Sequence, residues 1–331
     1  HPLWFVHHFQ PGRQVVNCFD ANSGMPVASR DQRGYRDMLA TYAFMLGSAE
    51  ARWALFHLFD GPYHGGVLGL ITGTLTAPPA EPAPVAYAAY ERATRVNWRS
   101  GWADDASGVW VRGGHEKDFH DHLDRGHVNV ILRGRPVLIE ADNANYAAEN
   151  FATYYHARIG HNVIDLQGRP ASTSPAPAPI TVARLDATGG EVTVNPTAGY
   201  RRLERWERKV SWSADRAEIT DVVAVANEGA ETIVAYWHTG SSAPVELTGE
   251  GAEWTARWAD AVLTFRANTP IVVTQTQSPD RTLVSSSHAP EHLHAFLTVT
   301  TAEKISRLEL TTTATAPEPA RASSTEPAPA P

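Results

Sequence analysis

From Val182 to Leu310 the chain is written in short alternating segments with no helical pattern between them, and this run limits the fold more than any other feature. Arg205 to Trp212, Ala217 to Val223, Thr232 to Trp237, Val262 to Phe265, Ile271 to Thr274 and Phe296 to Thr300 each place apolar residues on alternate positions. Turn residues such as Asn227, Gly229, Gly249 and Gly251 fall between them. Successive side chains of a strand point to opposite faces, so each segment has one apolar face to bury. Evenly spaced strands without crossover helices predict antiparallel sheet packed on sheet.

The text before this run is different. Tyr35, Met38, Leu39, Tyr42 and Leu46 recur at helical spacing, and Trp53, Leu55, Phe56, Leu58 and Phe59 continue the pattern beyond the break at Gly47 and Ser48. The expectation is a helical hairpin ending before Gly61 and Pro62, preceded by loop and short helical pieces. Such a hairpin needs a partner to cover its apolar faces. Gly65, Gly66, Pro78, Pro79, Pro82 and Pro84 mark a semi-rigid linker. After Thr313 the chain is Ala, Pro, Ser, Thr and Glu, the composition of a disordered tail.

The fold class read from the sequence is therefore α+β and mostly β: a large antiparallel β-sandwich preceded by a short helical region. Expected divisions are a helical region and linker over 1–94, the sandwich over 95–312 and the tail over 313–331. With 331 residues the chain can enclose a substantial core. Its formal net charge of -8 and lack of a long basic run argue against nucleic acid as a partner. No apolar run reaches membrane-spanning length, so no membrane partner is expected. A lone cysteine, Cys18, can form no intrachain disulfide and reads as a small core residue.

Chemistry is concentrated between Gly113 and His161. In an extended chain His120, His122 and Asp124 project to one side as imidazole, imidazole and carboxylate, a surface suited to a metal or to proton transfer. Two strands follow, Val128 to Leu132 and Val137 to Asp142, joined at Arg133 to Pro136 in a hairpin that turns Asp142 back toward the histidines. His161, opening the apolar stretch Val163 to Leu166, is a candidate third ligand. The plainer reading of two neighbouring histidines is a satisfied polar patch. His115 and His127 are offset from the row and read as polar surface; His238 reads as either a strand end or a cleft residue.

Order and spacing here resemble the heparinase II/III-like polysaccharide lyases, which include heparin, heparan sulfate and alginate lyases. The resemblance rests on His120, His122, Asp124 and Gly126, then Gly134, the strand ending in Asp142, Tyr146, Tyr154, Tyr155, and Gly160, His161 and Asn162, followed by Gln167 and Gly168. It covers residues 95–170 well, and the flanks only in character. Arg125, Ala144 and Val163 stand where that pattern has other residues.

The resemblance implies β-elimination on a uronic acid within an anionic polysaccharide such as alginate or heparan sulfate. It implies His120 as a catalytic or carboxylate-binding residue, with Tyr146 and Tyr154 as further catalytic candidates near the sugar. Arg158, Asn162 and Arg125 become candidates for substrate binding. One zinc ion, mainly structural, falls to His122, Asp142 and His161, with Asp124 orienting an imidazole behind them. It further implies that residues 1–94 are the end of an α/α toroid supplied by a missing helical segment or partner chain. Location would be periplasmic or secreted, since the polymers are extracellular. The competing class is a non-catalytic carbohydrate-binding or structural sandwich with the same zinc; a third is a zinc hydrolase.

Overall fold

The computed structural model describes residues 2–16, 28–29, 33–59, 61–62, 69, 71, 75, 82–116, 118, 120–141, 146, 150–169, 176–278 and 294–317. The N-terminal part holds α1 (Pro2–His7), β1 (Phe9–Gln10), β2 (Gln14–Val15), β3 (Ala28–Ser29), α2 (Arg33–Met45) and α3 (Ala49–His57). Ser48 caps α3, its hydroxyl accepting from the Ala51 N–H at 3.2 Å, so the break read at Gly47 and Ser48 is a helix start. The two longer helices pack around Leu39, Ala40, Ala43, Ala51, Trp53, Ala54 and Leu55, with Val6 and Phe9 from the start of the chain. The expected stripe is narrower than its spacing suggests: Met38 and Leu46 are 43% and 63% exposed.

The β-rich part contains β4 (Tyr87–Tyr90), β5 (Arg95–Arg99), β6 (Gly108–Arg112), β7 (Val128–Leu132), β8 (Arg135–Leu138), β9 (Ile164–Leu166), β10 (Ile180–Asp186), β11 (Gly189–Val194), β12 (Leu203–Trp212) and β13 (Arg216–Val225). It continues with β14 (Ile233–His238), β15 (Glu246–Glu250), β16 (Glu253–Trp258), β17 (Ala261–Ala267), β18 (Ile271–Ser278), β19 (His294–Thr301) and β20 (Arg307–Thr315). β4 lies within the stretch read as linker. Three sheets result, in the orders β4-β5-β6-β7-β8, β18-β19-β14-β9 and β10-β11-β12-β13-β20-β17-β16-β15. Every pairing is antiparallel, as the absence of crossover helices demands.

One apolar core joins all three. Val96, Trp98, Val109, Val111, Val128 and Val130 of the five-stranded sheet meet Val192, Trp206, Val210, Ile219, Trp237, Leu263, Leu297 and Leu310. The alternate residues of β5 and β6, Arg95, Asn97, Arg99, Trp110 and Arg112, are also buried, on the opposite face. Arg99 there donates to Phe9 O at 2.6 Å and to Gly101 O at 2.9 Å, tying the sheet to the N-terminal part. The turn between β7 and β8 is where the sequence placed it. Arg133 and Gly134 take φ of 50° and 73°, the left-handed pair that a tight hairpin matches to strand twist. A Cβ at Gly134 would also lie 2.4 Å from Asp104 O.

Candidate functional site

The segment between β6 and β7 is a loop rather than a strand, so His120, His122 and Asp124 do not form one row. Charge pairing determines its course. Arg112, fully buried at the end of β6, is bonded to Asp124 Oδ2 and Asp121 Oδ1, while Arg125 grips Asp121 at 2.5 and 2.6 Å and donates to His115 O and Ala176 O. Gly114 must be glycine because a Cβ there would sit 1.8 Å from Arg125 Nε. These partners correct two expectations. Asp124 is bonded to the arginines and acts on the His161 imidazole only through its charge, and Arg125 is a buried strut of the loop rather than part of an accessible substrate wall.

The loop sends its two central histidines in different directions. His120 is exposed with φ of 52°, and its Nδ1 meets the Tyr146 hydroxyl at 2.7 Å. A non-glycine residue held in the left-handed region is strained, which is common where a side chain must be presented. His122 is buried, with its ring centroid 5.3 Å from His161 and 5.2 Å from His156, and its edge against Phe151. Phe151–Tyr155 forms a single π turn and Arg158–Gly160 a 3-10 turn, which deliver His161 to the site.

Behind His122 lies a buried group that the sequence reading did not single out. Glu140 Oε1 is bonded to His161 Nδ1, and Glu140 Oε2 lies 2.9 Å from His127 Nε2. The ligand atoms of His127, Glu140 and His161 all lie within 4.8 Å of one another, close enough to hold a metal ion. His127 is fully buried, contrary to the surface position expected for it. Its Nδ1 accepts from the Asn162 N–H at 3.0 Å, which puts the proton on Nε2, where Asn129 Oδ1 at 2.6 Å receives it. In that tautomer His127 donates and is a poor metal ligand. His161 differs: with Nδ1 donating to Glu140, its buried Nε2 has no hydrogen-bond partner, and in the neutral form it carries the lone pair that a metal would take.

Electrostatics follow the same pattern. Burial alone would raise the Glu140 pKa, but the charges of His127 and His161 and their hydrogen bonds hold it well below the usual carboxylate range. Burial pushes His161 down, yet Glu140 outweighs this and raises it. His238, fully buried, lies well below the normal imidazole value because of burial and the neighbouring His294, to which its Nδ1 is bonded at 2.9 Å. Its Nε2 donates to Ile159 O at 2.8 Å, so it is a strand-end residue of the frame rather than a cleft residue.

The remaining candidates separate into frame and surface. Asn162 is fully buried: its Nδ2 donates to Val128 O and Ile139 O, each at 2.9 Å, and its Oδ1 accepts from His238 N. Arg158 is buried, bonded to Asp165 and Gly199 O and stacked on Tyr200 at 3.8 Å. Neither presents its polar end to a substrate. Tyr154 is half-buried with its hydroxyl on Ser278 Oγ, whereas Tyr146 is exposed. Asp142, Ala144, Cys18 and the tail beyond 317 lie outside the described residues. One signal for Glu140 was present: a carboxylate two residues beyond Leu138 continues the inward register of an apolar strand.

Three antiparallel sheets around one core, with a polar loop site where β6, β7, β8 and β9 meet, define a β-sandwich domain of the polysaccharide-lyase type. The chain belongs to the family described as Heparinase II/III-like, C-terminal, whose sequence profile matches residues 98–318. Among solved structures it is similar to the heparinase III BT4657 gene product, at 11% identity with a TM-score of 0.66 over 96% of this chain and 45% of that one. Heparan sulfate lyase HepC from Pedobacter heparinus is similar at 13% identity and a TM-score of 0.63, over 95% and 46%. A further heparinase III gives 12% identity and a TM-score of 0.67, over 95% and 47%. The chain thus spans less than half the length of these proteins, and at such identity the likeness establishes the fold alone. No curated protein matches the chain. Among the described residues no helix is long and apolar enough to cross a membrane.

Proposed function

We propose that the chain carries part of the active site of a lyase that cleaves a uronic-acid-containing polysaccharide by β-elimination. The observation supporting this most strongly is the exposed His120–Tyr146 pair, a phenol and an imidazole 2.7 Å apart on a strained backbone beside a buried histidine pair. Elimination breaks the C–H bond next to the sugar carboxylate. Its electron pair becomes the new double bond, and the adjacent C–O bond breaks as its oxygen takes a proton. Tyrosine and histidine suit the two proton transfers, and a hydrogen-bonded pair can remove one proton and return another. Heparan sulfate is the favoured substrate, because the structurally similar HepC is a heparan sulfate lyase. Alginate and the other glycosaminoglycans, heparin and chondroitin, are the alternative substrates, and all these polymers imply a periplasmic or secreted enzyme.

One zinc ion is the metal we propose for this site, and the support for it comes from His161. His161 Nε2 is buried, without a hydrogen-bond partner, and backed by a carboxylate on Nδ1, the arrangement that prepares an imidazole to bind metal. His161 and His122, with Asp142 from outside the described residues, are the ligands we propose for the ion, which would supply a fixed positive charge. The chain's own residues would do the rest: the Arg112 and Arg125 network holds the His120 loop in place, and the Arg158–Gly160 turn with the buried Asn162 side chain fixes His161.

A second reading, a non-catalytic sugar-binding domain, is favoured by one fact: the chain spans less than half the length of the similar lyases. Incubation with heparan sulfate, heparin, chondroitin and alginate, following the ultraviolet absorbance of the unsaturated product, separates the two. The lyase reading predicts a rise on at least one polymer that His120→Ala abolishes. No rise on any polymer, with binding retained, selects the binding domain.

A further inference from the structure

Arg208 is fully buried on β12, directly opposite Asp221 on β13 in the sheet register, and it makes no contact with the imidazoles themselves. Its Nε and Nη2 donate to the two oxygens of Asp221, each at 2.8 Å, and Trp206 Nε1 donates to Asp221 Oδ1 at 2.7 Å. Trp206 and Trp237 lie within 5.4 and 5.2 Å of the guanidinium, so its plane is held by rings as well as by charge. The remaining amino group, Nη1, leaves the sheet and donates to Gly126 O at 2.8 Å and to Asn162 O. Those two carbonyls come from different loops and immediately flank the site, Gly126 preceding His127 and Asn162 following His161.

We infer that Arg208 is a positioning residue for the histidine site: clamped by Asp221, it fixes the spacing between the loop that carries His122 and His127 and the turn that carries His161. Only a guanidinium does this. One planar group must grip a carboxylate side-on and also direct a second nitrogen at two carbonyls, whereas a lysine ammonium is a single flexible point charge. Part of the test rests on the zinc reading above, so it has a second readout that does not.

The full chain carrying Arg208→Lys is compared with Val210→Ala, a core truncation two residues along the same strand whose side chain has no hydrogen-bonding group to offer either loop. Asp221→Asn serves as a second clamp variant if Arg208→Lys does not fold. Zinc affinity is measured by competition with a chelator well below the melting temperature of each variant. In the metal-free protein, the downfield imidazole N–H proton of the His161–Glu140 hydrogen bond is followed by NMR. The clamp variant is expected to bind zinc about 10–100-fold more weakly, the range for residues supporting metal ligands, and to lose or broaden that proton signal. The control should keep both at comparable loss of melting temperature. If clamp and control behave alike in both readouts, Arg208 is merely structural and the inference is overturned. If the native chain binds no zinc, the metal reading fails, and the proton signal alone decides the role of Arg208.

Discussion

Glu140 and His161 form a fully enclosed hydrogen-bonded pair in which the carboxylate takes Nδ1 of the imidazole and leaves Nε2 facing the interior without a partner. Carboxylate support makes an imidazole a better ligand and fixes its tautomer. Glu140→Gln keeps the shape while weakening that support, and we predict about a 10–100-fold loss of zinc affinity. Isothermal titration with zinc checks this; unchanged affinity would mean that Glu140 does not act through His161.

The exposed pair makes a different prediction. His120 and Tyr146 lie at the surface, so their loss costs little stability, yet a group that transfers a proton typically contributes about 10²–10⁴-fold to rate. His120→Ala and Tyr146→Phe should therefore lower turnover on the cleaved polymer by that order while leaving the melting temperature nearly unchanged. A large fall in melting temperature with little change in rate would assign the pair to packing.

Asn162 is expected to matter for folding. Its side chain satisfies Val128 O, Ile139 O and His238 N in the interior, and each buried group left unpaired costs about 1–3 kcal/mol. Asn162→Ala should lower the free energy of unfolding by at least about 2 kcal/mol, read from urea denaturation as a lower midpoint at unchanged slope.

Acid should weaken the fold through histidines that folding holds neutral. His238 is held neutral by burial and by His294, and His8 is pushed down to about 4, chiefly by burial. Both have folded values below the ordinary 6.5, so on acidification the unfolded chain takes up protons first. Their contribution is present above about pH 6.5 and is lost as pH falls toward the folded values. Denaturation between pH 7.5 and 4.5 should show declining stability, and His238→Gln should flatten that decline. An unchanged slope would show that His238 takes up its proton as readily in the folded chain as in the unfolded one.

Strand text, helix breaks and the β7–β8 turn were legible because each is set by local chemistry: alternation, the Ser48 cap, and the Arg133–Gly134 pair. The histidine loop was harder. Alternation predicts a row only if the chain is extended, and here Arg112 and Arg125 pull Asp118, Asp121 and Asp124 into a knot that turns His120 outward and His122 inward. Arg112 belongs to a strand and Arg125 to the loop, so nothing in their spacing shows that they share Asp121. His127 misled for a related reason: its burial depends on Asn162 and Glu140, distant in sequence. Arg208 and Asp221 lie opposite each other through sheet register, and their reach to Gly126 and Asn162 is visible only in the fold.

The mass of the oligosaccharides released from heparan sulfate tests the central claim most directly. Elimination adds no water, so the account predicts fragments whose masses sum to that of the parent chain, each new non-reducing end carrying an unsaturated uronate. Fragments heavier by one water per cut, or a polymer left intact by the folded chain across the whole panel, would contradict it.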